Sequence, residues 1–148
     1  MGLTLKCTKT GSGCDLSYSG FCRFRERVAY LVNDEFGAHY AKLSLLAREF
    51  AFGSDSDRCK QAYDEFDRET DELVEKLKIS RHIVHFLFQA DTDGKLSAKA
   101  CKSIYAVIKD HDDDVVYGYK KREPCTTFGD LKALFKECCE TRSSLIWY

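Results

Sequence analysis

The chain has 148 residues, a formal net charge of −1 and 44% hydrophobic residues. This length and apolar content predict a single globular domain, residues 1–148, with a hydrophobic core of its own. Because the charges nearly cancel, the chain as a whole does not attract nucleic acid, and we expect no nucleic-acid partner. No apolar run approaches the roughly 20 residues of a membrane-spanning helix, so we expect no membrane partner either.

The N-terminal segment and the cysteines favour a cytoplasmic location. The first residues contain no apolar stretch of a secretory signal, and Lys6 stands where a myristoylation motif needs Ser or Thr. Disulfide frameworks belong to small secreted chains that are poor in core residues. Several cysteines here take apolar positions in helical patterns, which predicts reduced, buried thiols. The chain contains eight of them: Cys7, Cys14, Cys22, Cys59, Cys101, Cys125, Cys138 and Cys139.

The first third of the chain predicts one strand followed by two helices. Leu3, Leu5 and Cys7 alternate with polar residues as in a half-buried strand, which the glycine-rich segment 11–13 ends. From about Ser19 apolar residues recur at helical spacing. The first stripe is Phe21, Phe24, Val28 and Leu31, and Asn33–Asp34 breaks it. The second stripe is Tyr40, Leu43, Ala47 and Phe50, with Gly53 as the predicted C-terminal cap.

The middle of the chain predicts a long surface helix and a short buried one. The segment 54–57 is an acidic, cap-forming start for the third helix. Its narrow apolar stripe consists of Cys59, Tyr63, Phe66, Leu73 and Leu77. Ser80 is positioned to cap the fourth helix, which is apolar on nearly every side and is therefore expected at the centre of the fold.

The last third predicts two helices and two strands. Ser97 caps a fifth helix, and Thr127 with Asp130 forms a capping-box start for the sixth. The alternation of Val115, Tyr117 and Tyr119 predicts a strand, and the apolar segment 145–148 predicts another. The predicted fold is α+β and predominantly helical, with about six helices. Its small sheet consists of the N-terminal strand, a strand near 115–119 and the C-terminal strand, which is expected to pair with one of the other two.

The segment 89–100, QADTDGKLSAKA, resembles the calcium-binding loop of an EF-hand. With Gly94 at the sixth loop position, Asp91, Asp93 and Ser97 take the third, fifth and ninth positions. Two ligand positions depart from the pattern: Gln89 replaces the first carboxylate, and Ala100 replaces the closing bidentate glutamate. The sequence therefore favours a structural turn, in which Gly94 supplies a positive φ and Ser97 caps the next helix. A weak divalent-cation module at Asp91, Asp93 and Ser97, assisted by Gln89 and the Lys95 carbonyl, is the alternative.

Other motifs give little support for catalysis. His82 and His85 share a helical face and are able in principle to bind a metal, but no metalloprotease motif surrounds them. The cysteines lack the close pairing of zinc sites, and no nucleophile or phosphate-binding motif is present. We therefore predict no cofactor and no catalytic residues. A thiol- or histidine-based enzyme, or a zinc protein, is a further alternative.

Two basic clusters lie near aromatic residues: one is Arg23, Arg25 and Arg27, and the other is the segment 120–122. Cations combined with aromatic side chains are typical of a site for single-stranded nucleic acid. The neutral total charge favours core aromatics beside solvated cations instead.

The resulting functional interpretation is a small non-catalytic protein-interaction or regulatory domain. Its partner is an unidentified protein or a second copy of the chain. The predicted interface consists of Tyr117, Tyr119, Trp147 and Tyr148, because aromatic side chains anchor interfaces.

Overall fold

A computed structural model describes residues 2–52, 56–119 and 125–148. In chain order the elements are β1 (Gly2–Cys7), β2 (Gly13–Ser17), α1 (Tyr18–Val32), α2 (Asp34–Glu49), α3 (Ser56–Leu77), α4 (Arg81–Phe88), β3 (Gly94–Leu96), α5 (Ala98–Ile108), α6 (Phe128–Glu140) and β4 (Leu145–Trp147). The fold is α+β and mostly helical, as the sequence predicts. Among the described residues, no helix combines the length and the apolar character that crossing a bilayer requires.

The four strands form one antiparallel sheet in the order β2-β1-β4-β3. The C-terminal strand pairs with the N-terminal one, with Leu5 opposite Trp147, which confirms the predicted pairing. Alternation along β1 places Leu3, Leu5 and Cys7 on the buried face. Because β4 is central, the end of the chain is tied on both sides by backbone hydrogen bonds to β1 and β3.

The core lies between the inner face of this sheet and the helices α1, α4, α5 and α6. Phe24 is fully buried, and its ring lies 5.7–6.2 Å from those of Phe86, Tyr117, Phe128 and Phe135. Edge-to-face and tilted packing at these distances is the favourable arrangement for aromatic rings. The apolar stripe predicted for α1 is therefore the centre of the core.

Side-chain caps set several helix boundaries where the sequence predicts them. Thr127 and Asp130 form a reciprocal capping box at the start of α6, and Ser80 and Ser97 cap α4 and α5. Asn33 has extended backbone between α1 and α2, and its side chain accepts a hydrogen bond from the Phe36 N–H. The predicted cap Gly53 and the predicted start of α3 at 54–55 lie outside the described residues.

The predicted strand near 115–119 is wrong: this segment forms only an isolated antiparallel bridge between Val116 and Thr127. The Tyr117 backbone N–H donates to the Thr126 carbonyl, and its carbonyl accepts from the Ser17 N–H. The segment thus closes the end of the sheet as an irregular loop. The strand that the middle of the chain contributes is β3 instead, at the edge of the sheet. The alternation of apolar and polar residues correctly indicates that Tyr117 is buried. It does not distinguish a strand from a loop, because a buried residue in a loop produces the same alternation.

Candidate functional site

The EF-hand-like loop binds a positively charged side chain of the protein itself, the guanidinium of Arg25. Arg25 Nη1 lies 2.6 Å from Asp91 Oδ1 and donates to the Gln89 carbonyl at 3.0 Å. The guanidinium also lies over the Phe21 ring, 4.2 Å from its centroid, and is 2% exposed. Asp91, one oxygen donor of the predicted ion site, and the Gln89 backbone carbonyl are thus directed at a side chain of α1.

The remaining residues of the predicted ion site are engaged in holding the turn. The Gln89 side chain hydrogen-bonds in both directions with the Lys95 backbone, through its amide nitrogen and its amide oxygen. Ser97 Oγ accepts from the Ala100 N–H, and Asp93 accepts from the Thr92 hydroxyl. This arrangement supports the structural-turn interpretation, although the expected positive φ at Gly94 is wrong: among the described glycines, only Gly11 has one.

Among the residues that the structure describes, the two neighbouring histidines of α4 join no group that would hold a metal ion. His85 is exposed and His82 is half-buried. Within residues 2–52, 56–119 and 125–148, no three His, Cys, Asp or Glu side chains are arranged to hold a metal ion.

The predicted interface aromatics divide into core and surface residues. Tyr117 and Trp147 are each 1% exposed, with the Tyr117 hydroxyl donating to Asp113 and the Trp147 indole to the Ala90 carbonyl. These two side chains are core residues in this structure and cannot anchor a partner on its surface. Tyr148 is 59% exposed, and Tyr119 is half-buried.

The first basic cluster is dispersed by the fold, and the second, 120–122, lies outside the described residues. Arg23 is exposed and donates to the Val116 carbonyl, whereas Arg27 lies 3.7 Å from the carboxylate of Asp113. Arg25 is buried, so the expectation that all three arginines are solvated is wrong for it. The three therefore present no continuous cationic surface.

A groove with a volume of about 410 Å³ opens between α2 and α4, and Cys22 and Arg25 of α1 are also part of its lining. We call it the α2–α4 groove. Leu43, Ser44 and Ala47 line its α2 side, Leu87 and Phe88 line its α4 side, and Asp91 lies at one end. The sequence prediction that α4 is buried on all sides is wrong here. Ile83, Phe86 and Leu87 are buried, but Phe88 is 36% exposed at the groove.

Packing behind the groove holds Phe88 in place. Its ring lies edge-to-face against Tyr40, with centroids 5.5 Å apart, and against Phe66 of α3 at 6.4 Å. Tyr40 is in turn fixed by a hydrogen bond from its hydroxyl to the Leu87 carbonyl. Leu45 and Phe52, which do not line the groove, are also exposed, by 62% and 96%.

Three of the cysteines are fully buried: Cys7, Cys101 and Cys138 are each 0% exposed. Cys7 Sγ lies 3.0 Å from Ser143 Oγ, and Cys138 Sγ lies 3.9 Å from the Ser144 carbonyl oxygen. All eight cysteines are free thiols in this structure. Cys7 and Cys138 are far apart in the sequence, so spacing alone gave no sign that both contact the turn before β4.

A buried histidine lies in a separate cleft between α2 and α3. His39 stacks on Phe66 with ring centroids 4.3 Å apart, and its Nε2 lies 2.7 Å from the Thr70 hydroxyl oxygen. Thr70 donates its own proton to the Phe66 carbonyl, so His39 Nε2 must be the donor to Thr70. Burial, and secondarily Lys42, lowers the pKa of His39, while Glu69 opposes the shift. This arrangement holds a neutral imidazole in a structural role.

A cleft of about 620 Å³ lies between β2 and α6. Its walls include Cys14, Asp130 and Glu137. Both Glu137 oxygens accept hydroxyl hydrogen bonds, from Thr10 and Ser12. Burial first, and then the carboxylates of Asp130 and Asp15, raise the pKa of Cys14 to about 11. A thiol with such a pKa is a poor nucleophile at neutral pH.

Comparison of this chain with protein-family models, with curated proteins and with solved structures finds no match.

Proposed function

We propose that this protein is a non-catalytic interaction domain that binds an amphipathic helix of a partner protein in the α2–α4 groove. The observation that carries the proposal is the exposed ring of Phe88, which is fixed by Tyr40 and Phe66 and faces Leu43 and Ala47 across an open groove. Exposed aromatic and aliphatic side chains that border a preformed concavity are typical of binding surfaces.

The shape of the groove favours a helix as its occupant. Both walls are helices, whose backbone groups are already hydrogen-bonded, so the groove offers no strand edge to an extended peptide. The α2 wall runs from Tyr40 to Ala47, which corresponds to roughly 10 Å of helix axis. That length accepts two apolar side chains from successive turns of a helix, the spacing by which amphipathic helices bind in grooves.

Negative charge at one end of the groove favours a basic residue next to the apolar residues of the bound helix. Asp91 is 51% exposed, and one of its oxygens is engaged by Arg25. Asp93, two residues further along the loop, is also exposed. These carboxylates favour a lysine or arginine beside the apolar residues of the partner, with the charges contributing mainly to orientation and association rate.

Site-specific photo-crosslinking in the protein's native cells tests this proposal. A benzophenone amino acid replaces the exposed groove residue Ser44 in one sample and the exposed α5 residue Ala106 in a control sample. We expect position 44, but not position 106, to crosslink one partner through a segment with helical apolar spacing and a basic flank.

A matched pair of variants links the crosslink to the groove. Ala47→Glu places a charge in the groove, whereas Ala106→Glu places the same charge on an exposed helical surface elsewhere. Both are surface substitutions, expected to change stability by no more than about 0.5 kcal/mol. The crosslink from position 44 is expected to disappear only with Ala47→Glu. A crosslink to a second copy, equal crosslinking from position 106, or insensitivity to Ala47→Glu would overturn the proposal.

A further inference from the structure

The cleft between α2 and α3 contains a ring nitrogen that the structural role of His39 leaves unused. Because Nε2 donates its proton to Thr70, Nδ1 of the neutral ring carries a lone pair and no proton. This nitrogen lies 3.6 Å from Glu69 Oε2. His39 is 4% exposed and forms part of the wall of the cleft, which has a volume of about 490 Å³. A buried acceptor therefore faces a carboxylate at the edge of this cleft.

Two groups that only accept hydrogen bonds, such as this lone pair and this carboxylate, attract each other only through a cation between them. A proton on Nδ1 is one such cation, but burial, and secondarily Lys42, lowers the pKa of His39 and so disfavours it. The Lys42 ammonium lies 3.7 Å from the same Glu69 oxygen, but it is 57% exposed and can be displaced. The pair is therefore suited to a cation that takes one nitrogen and one oxygen ligand.

We propose that His39 Nδ1 and Glu69 bind a zinc ion that links α2 to α3. Zinc forms bonds of about 2.0–2.2 Å to imidazole nitrogen and carboxylate oxygen, so a tetrahedral angle separates two such ligand atoms by about 3.4 Å. The 3.6 Å between Nδ1 and Oε2 is close to that separation. Thr70 supplies the outer hydrogen bond that fixes the tautomer and the orientation of a ligating histidine.

Glu72 is the third protein ligand in this proposal. It follows Glu69 by three residues on α3, which places both on one helical face, and it lines the same cleft. In the described residues no three such side chains already surround an ion. The exposed Glu72 side chain must therefore rotate toward the ion, and water supplies the remaining position of the tetrahedron.

The charge of the cleft favours a cation. Its walls carry three carboxylates, those of Glu35, Glu69 and Glu72, but only two ammonium groups. One of these, Lys76, lies 3.2 Å from Glu35 and neutralises it. The other, Lys42, shares its charge with Glu69, so the excess negative charge lies beside the two proposed α3 ligands.

NMR of the histidine ring nitrogens tests this site in the full-length protein. Zinc chloride is added to nitrogen-labelled protein at neutral pH, and both ring nitrogens of each histidine are followed. We expect one zinc ion per chain to shift His39 Nδ1, while Nε2 keeps its proton. His82 and His85, neighbours on α4, are the internal comparison. A shift confined to these two rings, with His39 unchanged at millimolar zinc, would overturn the proposal.

Two glutamate variants of α3 test the oxygen ligand. Loss of an outer partner of a metal ligand already lowers affinity about 10–100-fold, so Glu69→Gln should weaken zinc binding at His39 at least about tenfold. Glu65→Gln is the matched control, because Glu65 lies one turn earlier, is 64% exposed and does not line the cleft. Equal affinities for the two variants would show that Glu69 is not a ligand.

Lys42→Met distinguishes a metal site from a purely structural histidine. The substitution removes the ammonium that competes for the Glu69 oxygen, so zinc binding at His39 should become tighter. Because Lys42 is 57% exposed, the variant is expected to fold as the unmodified protein does. Weaker zinc binding by Lys42→Met would contradict the assignment of Glu69 as a ligand that Lys42 partly blocks.

Discussion

The indole of Trp147 lies directly against the backbone of Gly94: a Cβ atom built on Gly94 would fall 2.0 Å from the indole Cζ2. This contact, and not a positive φ angle, explains the glycine in the EF-hand-like loop. Gly94 is also paired with Trp147 across β3 and β4. The loop is therefore shaped by β4, because the Trp147 indole occupies the space that a side chain at position 94 would need.

Gly94→Ala is expected to lower the free energy of unfolding by about 1–3 kcal/mol, the usual cost of overpacking a filled core. Gly129→Ala is the matched control, because its Cβ would meet only Thr127 Oγ1 at 3.7 Å, an ordinary contact. Since Gly129 lies in α6, that substitution should leave stability unchanged or raise it by up to about 1 kcal/mol. Urea denaturation measures both, and equal stabilities would contradict the contact.

Asp91→Asn is expected to destabilise the fold by about 1–3 kcal/mol, because it removes the charged hydrogen-bond partner of a buried guanidinium. Asp93→Asn, in the same loop, removes an exposed carboxylate that accepts from the Thr92 hydroxyl, and it should change stability by no more than about 0.5 kcal/mol. A cation site would behave differently. Bound calcium would raise the melting temperature of the unmodified protein, and both variants would abolish that rise. We expect millimolar calcium to change none of the three melting temperatures.

The buried His39 should make the protein less stable in acid. Burial lowers its pKa in the folded chain, whereas in the unfolded chain histidine titrates near about 6.5. Below that pH the unfolded chain binds more protons, so the free energy of unfolding falls as the pH falls, by at most about 1.4 kcal/mol per pH unit from this residue.

Urea denaturation at about pH 7.5 and about pH 5.5, on either side of the histidine pKa, measures this contribution. His39→Gln is expected to lose less stability on acidification than the unmodified protein. His85→Gln, on an exposed histidine, should follow the unmodified protein. An identical pH dependence for all three proteins would show that His39 is not held neutral.

Thr127→Ala should lower the free energy of unfolding by about 1 kcal/mol, because it leaves the Asp130 N–H at the start of α6 without its capping oxygen. Thr127→Ser keeps that oxygen and should restore most of the loss. The comparison is made by thermal denaturation, and a Ser variant as unstable as the Ala variant would mean that the Thr127 methyl group, and not the cap, is important.

Local patterns were sufficient to predict most of the elements. The apolar stripe of α1, the caps Ser80 and Ser97 and the capping box at Thr127 depend on residues within a few positions of each other, and the structure contains all of them. The C-terminal strand could also be predicted, because an apolar chain end needs a partner. β2 and β3 were missed, since each is short and has a single buried residue, Leu16 or Leu96.

The sequence by itself thus determined the helical class of the fold, the caps and the apolar stripe of α1, because these follow from periodicity and near-neighbour hydrogen bonds. Only the tertiary structure decided the sites. It placed Arg25 of α1 in the loop at Asp91, brought Cys7 to Ser143 and left Phe88 exposed while burying Tyr117. The first two contacts join residues that are at least 66 positions apart in the sequence. The exposure of Phe88 depends on which side of α4 no other element covers. No local pattern records such long-range packing.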